Sequence, residues 1–236
     1  MSWAPRANRR EFLQGKAAAD ALADAAAHML PDGPLGDNAP DGYLVHLARK
    51  AMACSFEVFF NAGQYPHATT VAMSALDLVD QLEDQLSIYR PTSEISRLNQ
   101  RAAVEPVSIE PRLFALLELA TQVHRETRGA YDITAARLSD AWGFTRRSGQ
   151  LPSDEMIGAA LEAVGSQYLM LEPKDCNVRF ARAGLAVNLG SIGKGYAIDR
   201  AAEVLSAQRI DDFLLHGGNS SVLARGSNGS LAPEQG

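Results

Sequence analysis

Gly190, Gly193 and Gly195 fall within six residues, in the segment Asn188-Leu189-Gly190-Ser191-Ile192-Gly193-Lys194-Gly195-Tyr196-Ala197-Ile198-Asp199. An apolar run, Leu185–Leu189, precedes the glycines and reads as a strand. A helical stretch follows to about Gln208, with Ile198, Ala201, Ala202 and Leu205 on its apolar face. The order strand, tight turn, helix start is therefore imposed locally. Small residues let the backbone come close to a ligand. The unpaired N–H groups of a helix start favour an anion, and Lys194 adds a positive charge. Two readings follow from the residues: a phosphate site, or a tight strand-to-helix turn with a solvated lysine. It is neither common phosphate loop. A P-loop requires glycine where Asn188 stands and Ser or Thr where Gly195 stands. The dinucleotide fingerprint requires glycine or alanine where Ile198 stands.

The rest of the chain mixes strand and helix patterns without strict alternation. Tyr43–Ala48 and Cys54–Phe60 read as an early strand pair. From Pro66 to Leu86, Val71, Ala75, Leu78, Val79, Leu82 and Leu86 share one helical face. Pro111–Arg128 reads as a second helix, with proline suited to its first turn, and Gly129 stops it. Asp154–Val164 reads as a third, capped by Ser153. Tyr168–Leu171 and Asn177–Ala181 form an expected hairpin, and Phe213–His216 and Ser221–Ala224 a further strand pair. The pattern favours α+β, with mixed and antiparallel sheets and packed helices, over a doubly wound sheet.

Hydrophobic residues make up 46% of the 236 positions and charged residues 21%, as in an ordinary globular protein. The net charge of −6 opposes a nucleic-acid partner, so any bound phosphate needs a local site. No run approaches the 18 or so apolar residues of a membrane span. Cys54 and Cys176 are too few for a cysteine-rich zinc site and read as two separate core thiols. Arg9-Arg10-Glu11-Phe12-Leu13 resembles a twin-arginine export signal, but Lys16, Asp20, Asp24 and His28 interrupt the alanines after it. The expectation is a cytoplasmic protein with an Ala-rich leader, with export as the alternative. Residues 31–42 carry three prolines and three glycines and read as a linker. Residues 1–42 are thus leader and linker, and 43–236 the folded domain.

The glycine-rich segment resembles the most diagnostic motif of the FAD:protein FMN transferase family. Four more segments resemble that family in order, over roughly Met52 to Gly226. They are Ser87-Ile88-Tyr89-Arg90-Pro91-Thr92-Ser93-Glu94-Ile95-Ser96-Arg97-Leu98-Asn99, Gly129-Ala130-Tyr131-Asp132-Ile133-Thr134, Trp142-Gly143-Phe144 and Gly217-Gly218-Asn219. The resemblance implies that FAD is the substrate and that its FMN half passes to a threonine or serine hydroxyl of a target flavoprotein. AMP leaves, with magnesium assisting.

Residue by residue, the resemblance implies that Met52 lies near the flavin, with Ala53-Cys54 in place of the usual Gly-Thr. Tyr89 lies against the flavin ring. Ala130, Tyr131 and Asp132 form a FAD-contacting turn. Asn188 stands where the family has aspartate, Lys194 lies near the ligand, and Ser191 offers its main-chain carbonyl to the metal. The residues alone leave plainer roles open: Tyr89 as a helix-end aromatic, Asp132 as a turn or cap residue, His216 as a strand-end polar group and His124 as a solvated helix position. The family pattern continues with a histidine-containing segment and an Asp/Thr pair for the metal. Neither follows here, so the expected domain is incomplete at its C-terminus and Ser221–Ala224 is an unprotected edge. A non-catalytic FAD-binding protein and an inactive fragment are the alternative readings.

Overall fold

A computed structural model describes residues 44–144, 151–218 and 220–227. The leader and linker, the start of the first strand at Tyr43, Asn219 of the last motif and the tail from Asn228 lie outside them. Strands β1 (Leu44–Ala51) and β2 (Cys54–Asn61) form an antiparallel hairpin. Helix α1 (Ala68–Leu86) follows, then α2 (Glu94–Arg101), β3 (Val107–Ser108) and α3 (Pro111–Glu126). Next come α4 (Ala136–Ala141), α5 (Asp154–Glu162), β4 (Leu169–Glu172) and β5 (Asn177–Phe180). Helix α6 (Gly193–Ala207) leads into β6 (Phe213–Gly217) and β7 (Ser221–Arg225). The α+β class is as expected, with two sheets ordered β1-β2-β6-β7 and β3-β5-β4, antiparallel at each pairing.

Period-two burial explains the larger sheet. Phe56, Val58 and Phe60 of β2 and Phe213 and Leu215 of β6 face inward and are buried. α1 and α6 pack on each other and on this face. The buried stripe of α1 is Ala68, Ala72, Ala75, Leu76, Val79, Leu82 and Leu86. Val71 and Leu78, read from the sequence as core, lie at its half-buried margin. α6 buries Ala197, Ala201 and Ala202 beside Ile198 and Leu205, and small side chains allow close approach to the sheet. At Gly217 a Cβ would stand 2.9 Å from Ile198 Cδ1 and 3.1 Å from Phe56 Cε1, so any larger residue would push these buried side chains aside.

One expected strand is absent. Leu185–Leu189 forms only a single parallel bridge, Ala135 to Ala186. Its backbone groups are satisfied another way. Asn99 Nδ2 donates to the Val187 carbonyl at 2.9 Å, the Val187 N–H donates to Asn99 Oδ1 at 2.8 Å, and the Asn188 N–H donates to the Ile133 carbonyl at 2.8 Å. A side-chain amide thus does what a neighbouring strand would do. The apolar residues are buried as the pattern implied, with Leu185, Val187 and Leu189 at 2% exposure or less. Helix α2, unread in the sequence, starts at a Ser93 cap that accepts from the Ser96 N–H, and carries Glu94 in its first turn and Arg101 in its last.

Candidate functional site

Three separate segments meet at a cleft of about 270 Å³. The first is the β1–β2 turn, Met52 and Ala53. Both residues have left-handed backbone (φ 50° and 59°), as a two-residue hairpin turn demands. Without glycine each costs about 1–3 kcal/mol, and such strain concentrates at functional sites. The second is the end of α1 and its exit: Glu83, Leu86, Ser87, Ile88 and Tyr89. The third is the glycine-rich turn, which contributes Asn188, Leu189, Gly190, Gly193 and Lys194.

The serines of the second motif hold the exit of α1. The Ser87 carbonyl accepts from Ser93 Oγ at 2.5 Å and from Ser96 Oγ at 3.3 Å, and Ser87 Oγ accepts from the Tyr89 N–H at 3.2 Å. Tyr89 itself is 67% exposed at the cleft wall, so the reading of it as a half-buried helix-end aromatic is excluded. A large ring this exposed is not explained by packing and is accessible to a partner.

In the third segment, Asn188 Oδ1 accepts from the Gly190 N–H at 2.9 Å and closes the turn. An aspartate oxygen would accept in the same way, so the amide keeps this structural function without the charge. The turn tightens further through Gly193 N–H to Leu189 O, 2.7 Å, and α6 begins there. Ile192 supplies no side-chain cap. The start of a 15-residue helix, with Gly193 and Lys194 of its first turn, therefore lines the cleft. A second hollow of about 490 Å³ adjoins the first, sharing Ala53 and Glu83 and adding Lys50, Cys54 and Ser55. Burial pushes the Cys54 thiol up, and Lys194 partly offsets this. Cys54 and Cys176 are both free and half-buried.

Of the sequence-predicted residues, Met52, Tyr89, Asn188 and Lys194 are brought together on the cleft. Ala130, Tyr131, Asp132 and Ser191 are not on its wall. They stand beside it: Ser191 Oγ donates to the Tyr131 phenol oxygen at 3.3 Å. Asp132 is a tightly held carboxylate. Oδ1 accepts from Thr134 N–H (2.8 Å), Thr134 Oγ1 (2.6 Å) and Ser166 Oγ (2.7 Å), and Oδ2 from Ser166 N–H (3.1 Å). Thr134 and Ser166 are themselves buried.

Burial alone would raise the Asp132 carboxyl, but the hydrogen bonds from Thr134 and Ser166 outweigh it and hold it below the usual carboxylate range. A depressed folded value means stability present above the unfolded value, about 3.9, and lost as pH falls through the lower folded one. Asp132→Asn should therefore melt below the parent chain at neutral pH, and the gap should narrow as pH drops below about 4. Melting curves at stepped pH measure this, and a gap that stays constant down to pH ~2.5 would refute it.

One histidine departs from its plain reading, and a second stands near a strand end as expected. His124 is not solvated: its side chain is 20% exposed, and Nδ1 lies 2.9 Å from the Tyr131 carbonyl and 3.3 Å from Asp132 Oδ2. His216, on β6, has a buried Nδ1 with no hydrogen-bond partner among the described residues.

Magnesium needs about six oxygen ligands, commonly with carboxylates among them. Among the described residues no group of three or more His, Cys, Asp or Glu could hold a metal. Among the described residues no acidic cluster completes such a site at Ser191, so they do not by themselves fit the ion. Nor is any described helix long and apolar enough to cross a membrane.

Comparison with known proteins agrees with this architecture. A family model described as the ApbE family matches residues 52–233. The chain is 27% identical over 192 residues to a FAD:protein FMN transferase of Vibrio cholerae, covering 80% of this chain and 57% of that protein. It is 30% identical over 162 residues to one from Escherichia coli K12, covering 67% and 45%. Among solved structures, a flavin transferase ApbE from Vibrio cholerae superposes with a TM-score of 0.73 at 28% identity, covering 79% of this chain and 60% of that one. A Pseudomonas stutzeri flavinyl transferase ApbE in its apo form gives 0.71 at 26% identity, covering 79% and 59%. The chain spans about half the length of the curated relatives it matches.

Proposed function

The chain belongs to the ApbE family, and on that premise we propose that it binds FAD in this cleft and serves transfer of the FMN half to a threonine or serine hydroxyl of a target flavoprotein. The observation that carries the reading is the convergence of Met52, Tyr89, Asn188 and Lys194, from three distant segments, on one cleft beside an uncapped helix start. Tyr89 offers its open ring to the isoalloxazine, with Met52 beside it. Lys194 and the first-turn N–H groups of α6 beyond Gly193 hold the pyrophosphate, whose negative charge both favour. Ala130, Tyr131 and Asp132 form the turn that flanks the ligand through Ser191.

The reaction is a phosphoryl-group transfer. The acceptor hydroxyl oxygen forms a bond to the FMN-side phosphorus, the P–O–P bond breaks, AMP departs with the bridging oxygen, and the hydroxyl proton passes to solvent or to the departing phosphate. This chain's residues contribute binding and orientation, and charge neutralisation at the pyrophosphate by Lys194. The family resemblance implies magnesium as a further neutraliser of the pyrophosphate charge, and the described residues alone do not form its site. At about 270 Å³ the cleft is near the small end of ligand sites, enough for part of a dinucleotide, and the adjoining hollow extends it. The interrupted alanine run after Arg9-Arg10 supports a cytoplasmic setting, with residues 1–42 as leader and linker and twin-arginine export as the alternative.

The test mixes the purified chain with FAD, magnesium and a threonine-bearing acceptor. Released AMP together with a covalently flavinylated acceptor supports transfer. FAD binding without AMP supports the non-catalytic reading, and the absence of both overturns FAD as the ligand.

A further inference from the structure

The cleft's glycine-rich turn is braced from a distance. Tyr131 is the brace, and both of its backbone groups are fixed by the C-terminal turn of α3. Its N–H donates to Thr127 Oγ1 at 3.1 Å, and its carbonyl lies 2.9 Å from His124 Nδ1. The same imidazole nitrogen lies 3.3 Å from Asp132 Oδ2, so the ring sits against two consecutive residues of the loop. Asp132 is in turn locked by Thr134 and Ser166. Gly129 N–H closes on the His124 carbonyl at 2.8 Å, and Gly129 has φ +86°, which turns the chain back over the ring. With its backbone held on one side, Tyr131 projects its phenol to Ser191 Oγ, 3.3 Å away, in the middle of the glycine-rich turn. Two residues further along, the Ile133 carbonyl accepts from the Asn188 N–H, a second tie between the same two segments.

From this connected geometry we infer that His124 is a positioning residue: through Tyr131 it fixes the conformation of the glycine-rich turn around Ser191 and so prepares the cleft for its ligand. The consequence for FAD rests on the function proposed above, whereas the consequence for the turn itself does not. Because the interaction needs an N–H at the Nδ1 position, asparagine, whose Nδ2 occupies nearly the same place, should substitute for it. Leucine, of similar bulk, should not.

The experiment compares the full chain with His124→Leu, His124→Asn and Tyr131→Phe. The first readout is amide hydrogen exchange without any ligand. His124→Leu should speed exchange across residues 188–196 by about three- to tenfold while β1, β2 and α1 keep parental rates. His124→Asn should restore it. Tyr131→Phe removes only a phenol oxygen and leaves the fold intact, so it covers the case in which the leucine variant does not fold. It should loosen the same segment, and adding His124→Leu to it should loosen it little further. Unchanged exchange at 188–196 in Tyr131→Phe, or an equal rise throughout the fold in His124→Leu, overturns the inference. The second readout is FAD affinity by flavin fluorescence, which should fall in step with the loosening. If the turn loosens as expected while the parent chain shows no affinity for FAD, the positioning role stands and the FAD reading falls.

Discussion

Lys194→Ala should weaken FAD binding by about ten- to a hundredfold. Lys194 stands in the first turn of α6 on the cleft wall, next to Gly193, where Ile192 leaves the helix start without a side-chain cap. A charge-assisted hydrogen bond to a phosphate is worth about 1.5–3 kcal/mol, and every ~1.4 kcal/mol is a factor of ten in affinity. The helix N–H groups remain in the variant, so binding should weaken rather than vanish. Lys194→Arg keeps the charge but not the compact ammonium, and should retain most of the affinity. Raising the salt concentration should reduce the difference between the parent chain and Lys194→Ala, because that difference is electrostatic. Fluorescence titration measures all three. Equal affinity in Lys194→Ala and the parent would remove the pyrophosphate from this turn.

The larger effect on stability belongs to Asn99→Leu. The Asn99 carboxamide pairs with both the N–H and the C=O of Val187, at 2.8 and 2.9 Å, and Val187 is completely buried. Leucine would leave both backbone groups unpaired in the core. Each orphaned group costs about 1–3 kcal/mol, so the sum is a sizeable part of the ~5–15 kcal/mol that holds a typical domain folded. At about 2–4 °C per kcal/mol for a chain of this size, the melting midpoint should drop by roughly 5–20 °C. Asn99→Asp accepts from the Val187 N–H but cannot donate to its carbonyl, and should fall between. Because Asn188 follows directly, the surviving folded fraction should also bind FAD less well. A midpoint within about one degree of the parent would show that the segment finds its partners elsewhere.

The two sites differ in how they could be read from the residues. Lys194 announces itself, because small residues, a lysine and an amphipathic stretch lie together in sequence. Asn99 closes a motif named by family resemblance, yet its task involves a residue 88 positions away. A polar side chain that pairs with a distant backbone leaves no local signal, which is why Leu185–Leu189 reads as a strand. Its apolar burial is what a strand would show, but its hydrogen bonds go to an amide and a loop. His124 was misread for the same reason. Near the exposed end of α3 a histidine looks solvated until the chain reverses at Gly129 and covers it. Helix α2, by contrast, had a legible start in Ser93 and Glu94, but eight residues between two loops are easily passed over.

Local pattern was sufficient for what depends on neighbours in sequence. The period of apolar residues defined α1, α3, α5 and α6, because burial on one face repeats every three to four positions. β-Branched and aromatic content marked the β1–β2 pair, the β6–β7 pair was likewise legible, and the glycines marked where α6 begins. Ordered motifs pointed to the family and to Met52, Tyr89, Asn188 and Lys194. Only the tertiary structure decided that these four share a cleft while Ala130–Asp132 and Ser191 stand beside it. The reason is physical: packing α1 and α6 on one face of the first sheet sets those distances, and the hydrogen bonds that secure the site run between residues tens of positions apart.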